Sequence, residues 1–187
     1  SLNVQSWRGD QFGRLGTDTT VARDKPLAQN ASGVALSLSL DVGAFKAWVG
    51  TSPLGFPLST MIGGASYYLG FGHFGLTISG ARRIVRSTFL SAAGATDPLT
   101  GEQWGLVTEN GGMVNFGYGA DRGFAYLYGG YDFVLGRHVV TNGKAHGGGG
   151  FQIRLFGTEA WDVKTGVAAG VMSYRQNLGK YTWGHGG

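Results

Sequence analysis

The chain carries four His, at 73, 138, 146 and 185, eleven acidic residues and no Cys. The absence of thiols removes disulfides, iron–sulfur clusters, thiolate zinc sites and cysteine nucleophiles from the readings available, and it fits an oxidising compartment. The histidines show no HExxH or other short ligand spacing. Gly70-Phe71-Gly72-His73-Phe74-Gly75 matches the dinucleotide fingerprint letter for letter. That motif works only between a strand and a helix whose N–H groups meet pyrophosphate, and here a strand pattern follows it. His146-Gly147-Gly148-Gly149 has the letters of a lipase oxyanion hole, yet no GxSxG nucleophile elbow exists in the chain. Asp97 and Glu102 share a segment, but two carboxylates so close in sequence are weak grounds for a glycosidase pair. No catalytic residues are assigned, and no metal or cofactor is implied.

Aromatic residues on otherwise polar faces carry more information. Trp48 alternates in phase with Lys46, opposite Phe45, Ala47 and Val49. Trp7 is in phase with Asn3 and Gln5, opposite Leu2 and Val4. Indole surface facing water is costly unless something stacks on it. A sugar ring is a natural partner, with its C–H face on the ring and its hydroxyls on polar neighbours; packing against a plug or loop is the competing reading.

The elements that must position these residues are strands. Of 187 residues 36 are Gly, well over the usual roughly 7 %, which disfavours long helices. Charged residues are 14 % and aromatics 13 %, and mean hydropathy is −0.02. The net charge of +4 is small and dispersed, so nucleic acid is not an expected partner. No run reaches the 18 or so apolar residues of a spanning helix. The dominant period is two: Val34, Leu36, Leu38 and Leu40 fall on one face, Ser37, Ser39 and Asp41 on the other. The same alternation places Ser79, Asn115, Gln152, Arg154, Asp162 and Lys164 on polar faces. Further strands are expected near 2–8, 44–50, 63–72, 104–118, 123–136 and 167–176. Turn chemistry at Asn110-Gly111-Gly112, Asp121-Arg122-Gly123 and Asn142-Gly143 predicts hairpins. Two longer connections, Arg14–Asn30 and Ser87–Gln103, are expected at one end, and Val85–Ala95 has room for one helical turn.

An antiparallel all-β chain with alternating faces is either a soluble sandwich or barrel with its greasy face inward, or a transmembrane barrel with that face toward lipid. Three features favour the membrane. Aromatics cluster near expected strand ends (Tyr67-Tyr68, Tyr126 with Tyr128, Tyr131 with Phe133, Tyr181 with Trp183), polar faces carry small residues and mixed charges, and few bulky apolar residues oppose one another.

Particular blocks then carry a family resemblance. They are Thr51-Ser52-Pro53-Leu54-Gly55-Phe56-Pro57; Arg82-Arg83 with Ser87; Ala93-Gly94-Ala95-Thr96-Asp97-Pro98-Leu99-Thr100-Gly101 leading to Trp104-Gly105; and Tyr181-Thr182-Trp183-Gly184-His185-Gly186-Gly187. In this order and spacing, from about residue 45 to the end, the chain resembles the C-terminal domain of bacterial cellulose synthase operon protein C. The resemblance implies an up-and-down outer-membrane β-barrel conducting a nascent β-1,4-glucan out of the cell. Its implied partners are outer-membrane lipid, the polysaccharide, a periplasmic tetratricopeptide region and the inner-membrane cellulose synthase complex. The helix-pair period of roughly 34 residues that such repeats need is absent from this chain. Residues 1–187 are expected to form a single barrel domain, incomplete at its C-terminus, because the family's domain continues past the closing HGG. At about 10 residues per strand plus turns the chain holds roughly 9 or 10 strands. Open channels need more than a filled eight-stranded barrel offers, so this piece is expected to be part of a larger barrel.

Lumen-facing, substrate-binding candidates are Trp7, Lys46, Trp48, Asn115, Gln152, Arg154, Asp162 and Lys164, joined by Asn3, Gln5 and Ser79. The segments Ser87–Gln103 and His138–Gly150 are expected to gate the passage. Two other readings stay open: a membrane-embedded barrel enzyme acting on lipid or polysaccharide, and a soluble carbohydrate-binding β-domain.

Overall fold

The computed structural model describes residues 2–13, 27–96, 101–157 and 162–177, with side chains described from residue 32 onward. The strands are β1 (Leu2–Gly13), β2 (Leu27–Val42), β3 (Phe45–Thr51), β4 (Met61–Phe71), β5 (Phe74–Ile84), β6 (Ala95–Thr96), β7 (Gln103–Ala120), β8 (Gly123–Arg137), β9 (Val139–Gly157) and β10 (Asp162–Tyr174). Among the described residues one short helix, α1 (Phe89–Ala93), interrupts them. Nine strands form one antiparallel meander in the order β1-β2-β3-β4-β5-β7-β8-β9-β10, and the two-residue β6 pairs β7 alongside it. Among the described residues β1 and β10 are the two edges, and the sheet is not closed into a ring.

Register follows alternation. Leu38 pairs Val49, Tyr67 pairs Ile78, Ile78 pairs Val114 and Phe116 pairs Leu127, so apolar side chains line up across strands on one face. Among the described residues nothing covers that face: Leu38, Leu40, Ile78, Phe151 and Val167 are exposed, and Leu127 is 67 % exposed. Buried residues concentrate instead at one end of the sheet, around Leu58, Ala93, Ala95, Val107 and Val134, with Val85, Val139 and Tyr174 packed on the last two.

The two ends differ. Gly43-Ala44, Gly72-His73 and Asp121-Arg122 make two-residue turns at one end. Gly43 (φ 57°) and Gly72 (φ 62°) supply left-handed backbone, whereas Asp121-Arg122 turns without positive φ. The GxGxxG letters are thus a hairpin. Opposite lie the connections through residues 52–60 and 85–102, and the Ser87–Gln103 segment holds α1 and β6 as well as a connection. The Arg14–Asn30 connection lies outside the described residues, except that 27–30 belong to β2.

Two expected hairpins are overturned. Asn110-Gly111-Gly112 is inside β7 and Asn142-Gly143 inside β9; the β8–β9 turn is at His138, at φ 53°. In each case the Asn side chain acts across the sheet instead of turning its own chain. Asn142 Nδ2 donates to Gln176 O at 2.7 Å, and its Oδ1 accepts from Gln176 N at 2.9 Å, tying the end of β10 to β9. Gly111 and Gly143 serve close approach, with Asp132 and the Tyr131 ring standing where a Cβ would go. The expected gating loop His138–Gly150 is consequently a strand, since all but its first residue belongs to β9.

Candidate functional site

On the polar face, the register Asp41–Lys46–Ser66–Ser79–Met113 and the row Ser39–Trp48–Gly64–Ala81–Gly111 run strand to strand. Trp48 reaches over Gly64, its Nε1 3.0 Å from where a Cβ would stand, and the residue is half-buried. Lys46 Nζ is 3.8 Å from Asp41 in full solvent, a pair worth little. Asn115 lies in the row Thr77–Asn115–Tyr128–Gly148–Gly170. There Tyr128 spreads over glycines, its hydroxyl 2.8 Å from the Cβ positions of both Gly148 and Gly170. Tyr126 and Tyr128 therefore belong to the polar face, not to an aromatic girdle on the apolar one as their place near a strand end suggested.

Near the short-turn end, Arg154 Nε meets Asp162 Oδ1 at 2.6 Å and Lys164 Nζ lies 3.4 Å from Asp162 Oδ2. Gln152 is on the same face. In β1 the register puts Asn3, Gln5 and Trp7 opposite Ser37, Ala35 and Gly33, on the polar rows; the side chains themselves lie outside the described ones. The candidates thus share a face but form no single cluster.

The densest polar contact was not anticipated. Lys144 Nζ sits 2.6 Å from Glu109 Oε1 and 3.3 Å from Asp132 Oδ2, and His146 Nδ1 is 3.4 Å from that same Asp132 oxygen. These side chains are largely shielded, and Glu109, Asp132 and His146 line a shallow recess with Arg83, Ser79 and Met113. Pairing of Gly111 with Asp132 and of Asp132 with Lys144 puts Asp132 and Lys144 in one row across β7, β8 and β9, with Glu109 and His146 in the rows on either side. The signal was present in the alternation Lys144, His146, Gly148, Gly150, but turn and loop assignments at 110–112 and 138–150 hid it.

At the long-connection end the resemblance motifs meet. Residues 52–60 form a loop closed at its base by Ser52 N to Thr60 O and Thr60 N to Ser52 Oγ, both 2.8 Å. Its tip adds a rung to β2, with Val34 N donating to Leu54 O and Leu54 N to Val34 O. Thr51 Oγ1 accepts from Leu36 N, Pro53 is buried, and Gly55 takes φ 101° against Ser32 O. The second connection packs onto this one: Leu58 N donates to Ala93 O, Gln103 Nε2 donates to Pro57 O, and the rings of Phe56 and Phe89 stand 6.4 Å apart. Helix α1 packs on β7 and also approaches β1. The Trp104 and His138 rings stand 5.1 Å apart, tilted by 53°, and His138 Nδ1 donates to Gln103 O. Arg82 donates to Asn110 Oδ1 at 3.2 Å and to Thr60 Oγ1 at 3.1 Å. Arg82 is on the apolar face and Arg83 on the polar one, so the paired arginines part company. Gly101 sits in the open at φ 73°. Asp97, Pro98, Tyr181, Trp183, His185 and Gly186 lie outside the described residues.

Chemically, the polar face presents hydroxyls, amides, ion-paired charges and aromatic side chains that reach over glycines. Such a surface bonds sugar hydroxyls without fixing a charge.

Over residues 1–187 the chain matches the protein family described as cellulose synthase operon protein C C-terminus. It is 34 % identical over 187 residues to cellulose synthase operon protein C of Komagataeibacter xylinus, covering 99 % of this chain and 14 % of the relative. Identity to the protein of the same name from Xanthomonas axonopodis pv. citri is 35 % over 170 residues, 86 % of this chain and 11 % of the relative. For that of Pseudomonas fluorescens it is 33 % over 194 residues, 100 % and 15 %. The chain therefore spans only a small part of the length of these relatives.

Proposed function

The chain belongs to the family of cellulose synthase operon protein C C-termini, which ties it to cellulose biosynthesis, and from that premise we propose that it forms part of the wall of an outer-membrane pore through which a nascent, neutral β-glucan leaves the cell. One observation carries this reading: a single continuous sheet exposes its bulky apolar side chains on one face and gathers most of its charges and amides, with Tyr68, Tyr126 and Tyr128, on the other. A soluble fold buries the first face. A barrel wall in lipid turns it outward.

Passage is passive and needs no catalytic group. Glucan is uncharged, so no field drives it, and the wall must offer sites weak enough to release each sugar as the next arrives. Trp48, Asn115, Gln152 and the Tyr126–Tyr128 pair are such sites, with Lys46, Arg154, Asp162 and Lys164 as hydroxyl-bonding charges. Trp7 extends the row into β1. The long connections at one end and two-residue turns at the other match the usual asymmetry of outer-membrane barrels, with long loops outside and short turns in the periplasm. The packed assembly of residues 52–60 and 85–105 then stands at the exit. The open edges at β1 and β10 are where further strands complete the ring, and the periplasmic repeats and the inner-membrane synthase deliver the glucan from below.

The test is fractionation of the full-length protein. It is expected with the outer membrane, as an SDS-resistant compact band that shifts on boiling; a freely soluble protein without heat-dependent migration overturns the pore.

A further inference from the structure

Two arginines stand on the wrong face. Arg82 is in the outward row Gly63–Arg82–Asn110–Phe133, and Arg137 ends the outward series Phe133, Leu135 of β8. Both are exposed, at the margin where the apolar belt meets the long-connection end, since Met61, Phe133 and Leu135 beside them are exposed hydrophobics. They line one groove of about 280 Å³, together with the hydroxyls of Ser59 and Thr60 and the side chains of Leu106 and Leu135. Among the described residues neither guanidinium has a carboxylate within ion-pair distance. Arg82 is held by two neutral oxygens, Asn110 Oδ1 and Thr60 Oγ1, and the Arg137 guanidinium makes no described hydrogen bond. By contrast Lys144, Arg154 and Lys164 of the polar face each have a carboxylate within ion-pair distance.

Uncompensated, forked donors beside hydroxyls and above leucines fit an anion that carries acyl chains. Arg binds phosphate oxygens through two parallel N–H bonds, and the leucines accept the first methylenes of the chains. We infer that this groove seats the phosphate headgroup of an anionic outer-membrane lipid, fixing the depth of the sheet in the bilayer at its long-connection end. The inference rests on the membrane reading above, because only there does the groove lie at headgroup level.

The test uses full-length protein in nanodiscs of phosphatidylcholine doped with bis-phosphorylated lipid A, and native mass spectrometry to count retained lipid A. Wild type is expected to retain it. Arg137→Gln, whose side chain supports no other described contact, should lower occupancy about tenfold or more, and Arg82→Gln with Arg137→Gln further. Arg122→Gln at the opposite end should leave retention unchanged, lipid A without phosphates should not be retained, and millimolar inorganic phosphate should not displace the lipid. Equal retention by wild type and the double variant, both running as the same SDS-resistant band, overturns the site. Displacement by inorganic phosphate overturns its assignment to lipid. A wild type that stays soluble and never enters the nanodiscs removes the membrane reading, and the site falls with it.

Discussion

Lys144 serves two carboxylates from two neighbouring strands, Glu109 and Asp132, and that asymmetry makes its role measurable. Replacing it by Met leaves two half-shielded anions facing each other, whereas Glu109→Gln leaves the contact with Asp132 in place. Lys144→Met should therefore destabilise the fold by about 1–3 kcal/mol and Glu109→Gln by distinctly less, read as urea midpoints of the heat-modifiable band. Trp48 tests the conduit itself. With its indole reaching over Gly64 on the polar face and only half-buried, Trp48→Ala should lower glucan export while keeping the compact band; export at the wild-type level removes Trp48 from the path. Trp48 was legible because its neighbours alternate cleanly. Glu109, Asp132, Lys144 and His146 were not, since a charge's partner depends on which strands are adjacent, and local spacing is silent about that.

The rim assembly depends on a helix of one turn that cannot hold itself. Thr88 closes α1 with a capping box, its Oγ1 accepting from Ser91 N at 3.1 Å while Thr88 N donates to Ser91 Oγ at 3.0 Å. Gly94 ends it at φ 72°, where an added Cβ would stand 2.6 Å from Leu58 Cδ1. Gly94→Ala combines left-handed strain with a clash into the other loop, costing about 1–2 kcal/mol. The expected outcome is local: faster hydrogen exchange across residues 85–105 and around Leu58, with β4, β5 and β7 still protected. Exchange spread evenly through the sheet would show that the rim is no separate element. One helical turn within Val85–Ala95 was anticipated, and the strands from β2 to β5 stood out by their period of two. The Asn-Gly pairs misled because the same residues that turn a chain also let neighbouring backbones approach, and only the strand opposite decides which use prevails.

Across the whole molecule the decisive property is the inversion of its faces, and adjacent residues at mid-strand test it. Val114 pairs Ile78 on the apolar face and Asn115 pairs Thr77 on the polar one. Val114→Arg should oppose insertion by about 2–4 kcal/mol, appearing as loss of the SDS-resistant band. Asn115→Arg should fold normally. Equal tolerance of both would place the two faces in the same solvent and end the barrel reading.

Composition and alternation by themselves determined an all-β antiparallel chain with two unlike faces, because a period of two survives any arrangement of strands. The ordered motif blocks pointed to the family. Tertiary structure alone decided that, among the described residues, the apolar face is uncovered and nine strands run as an unclosed meander, that the motif loops at 51–60 and 87–105 interlock, and that the arginines at 82 and 83 face opposite sides. Each of these depends on register between segments distant in sequence. A shift of one residue would carry every side chain of a strand to the other face.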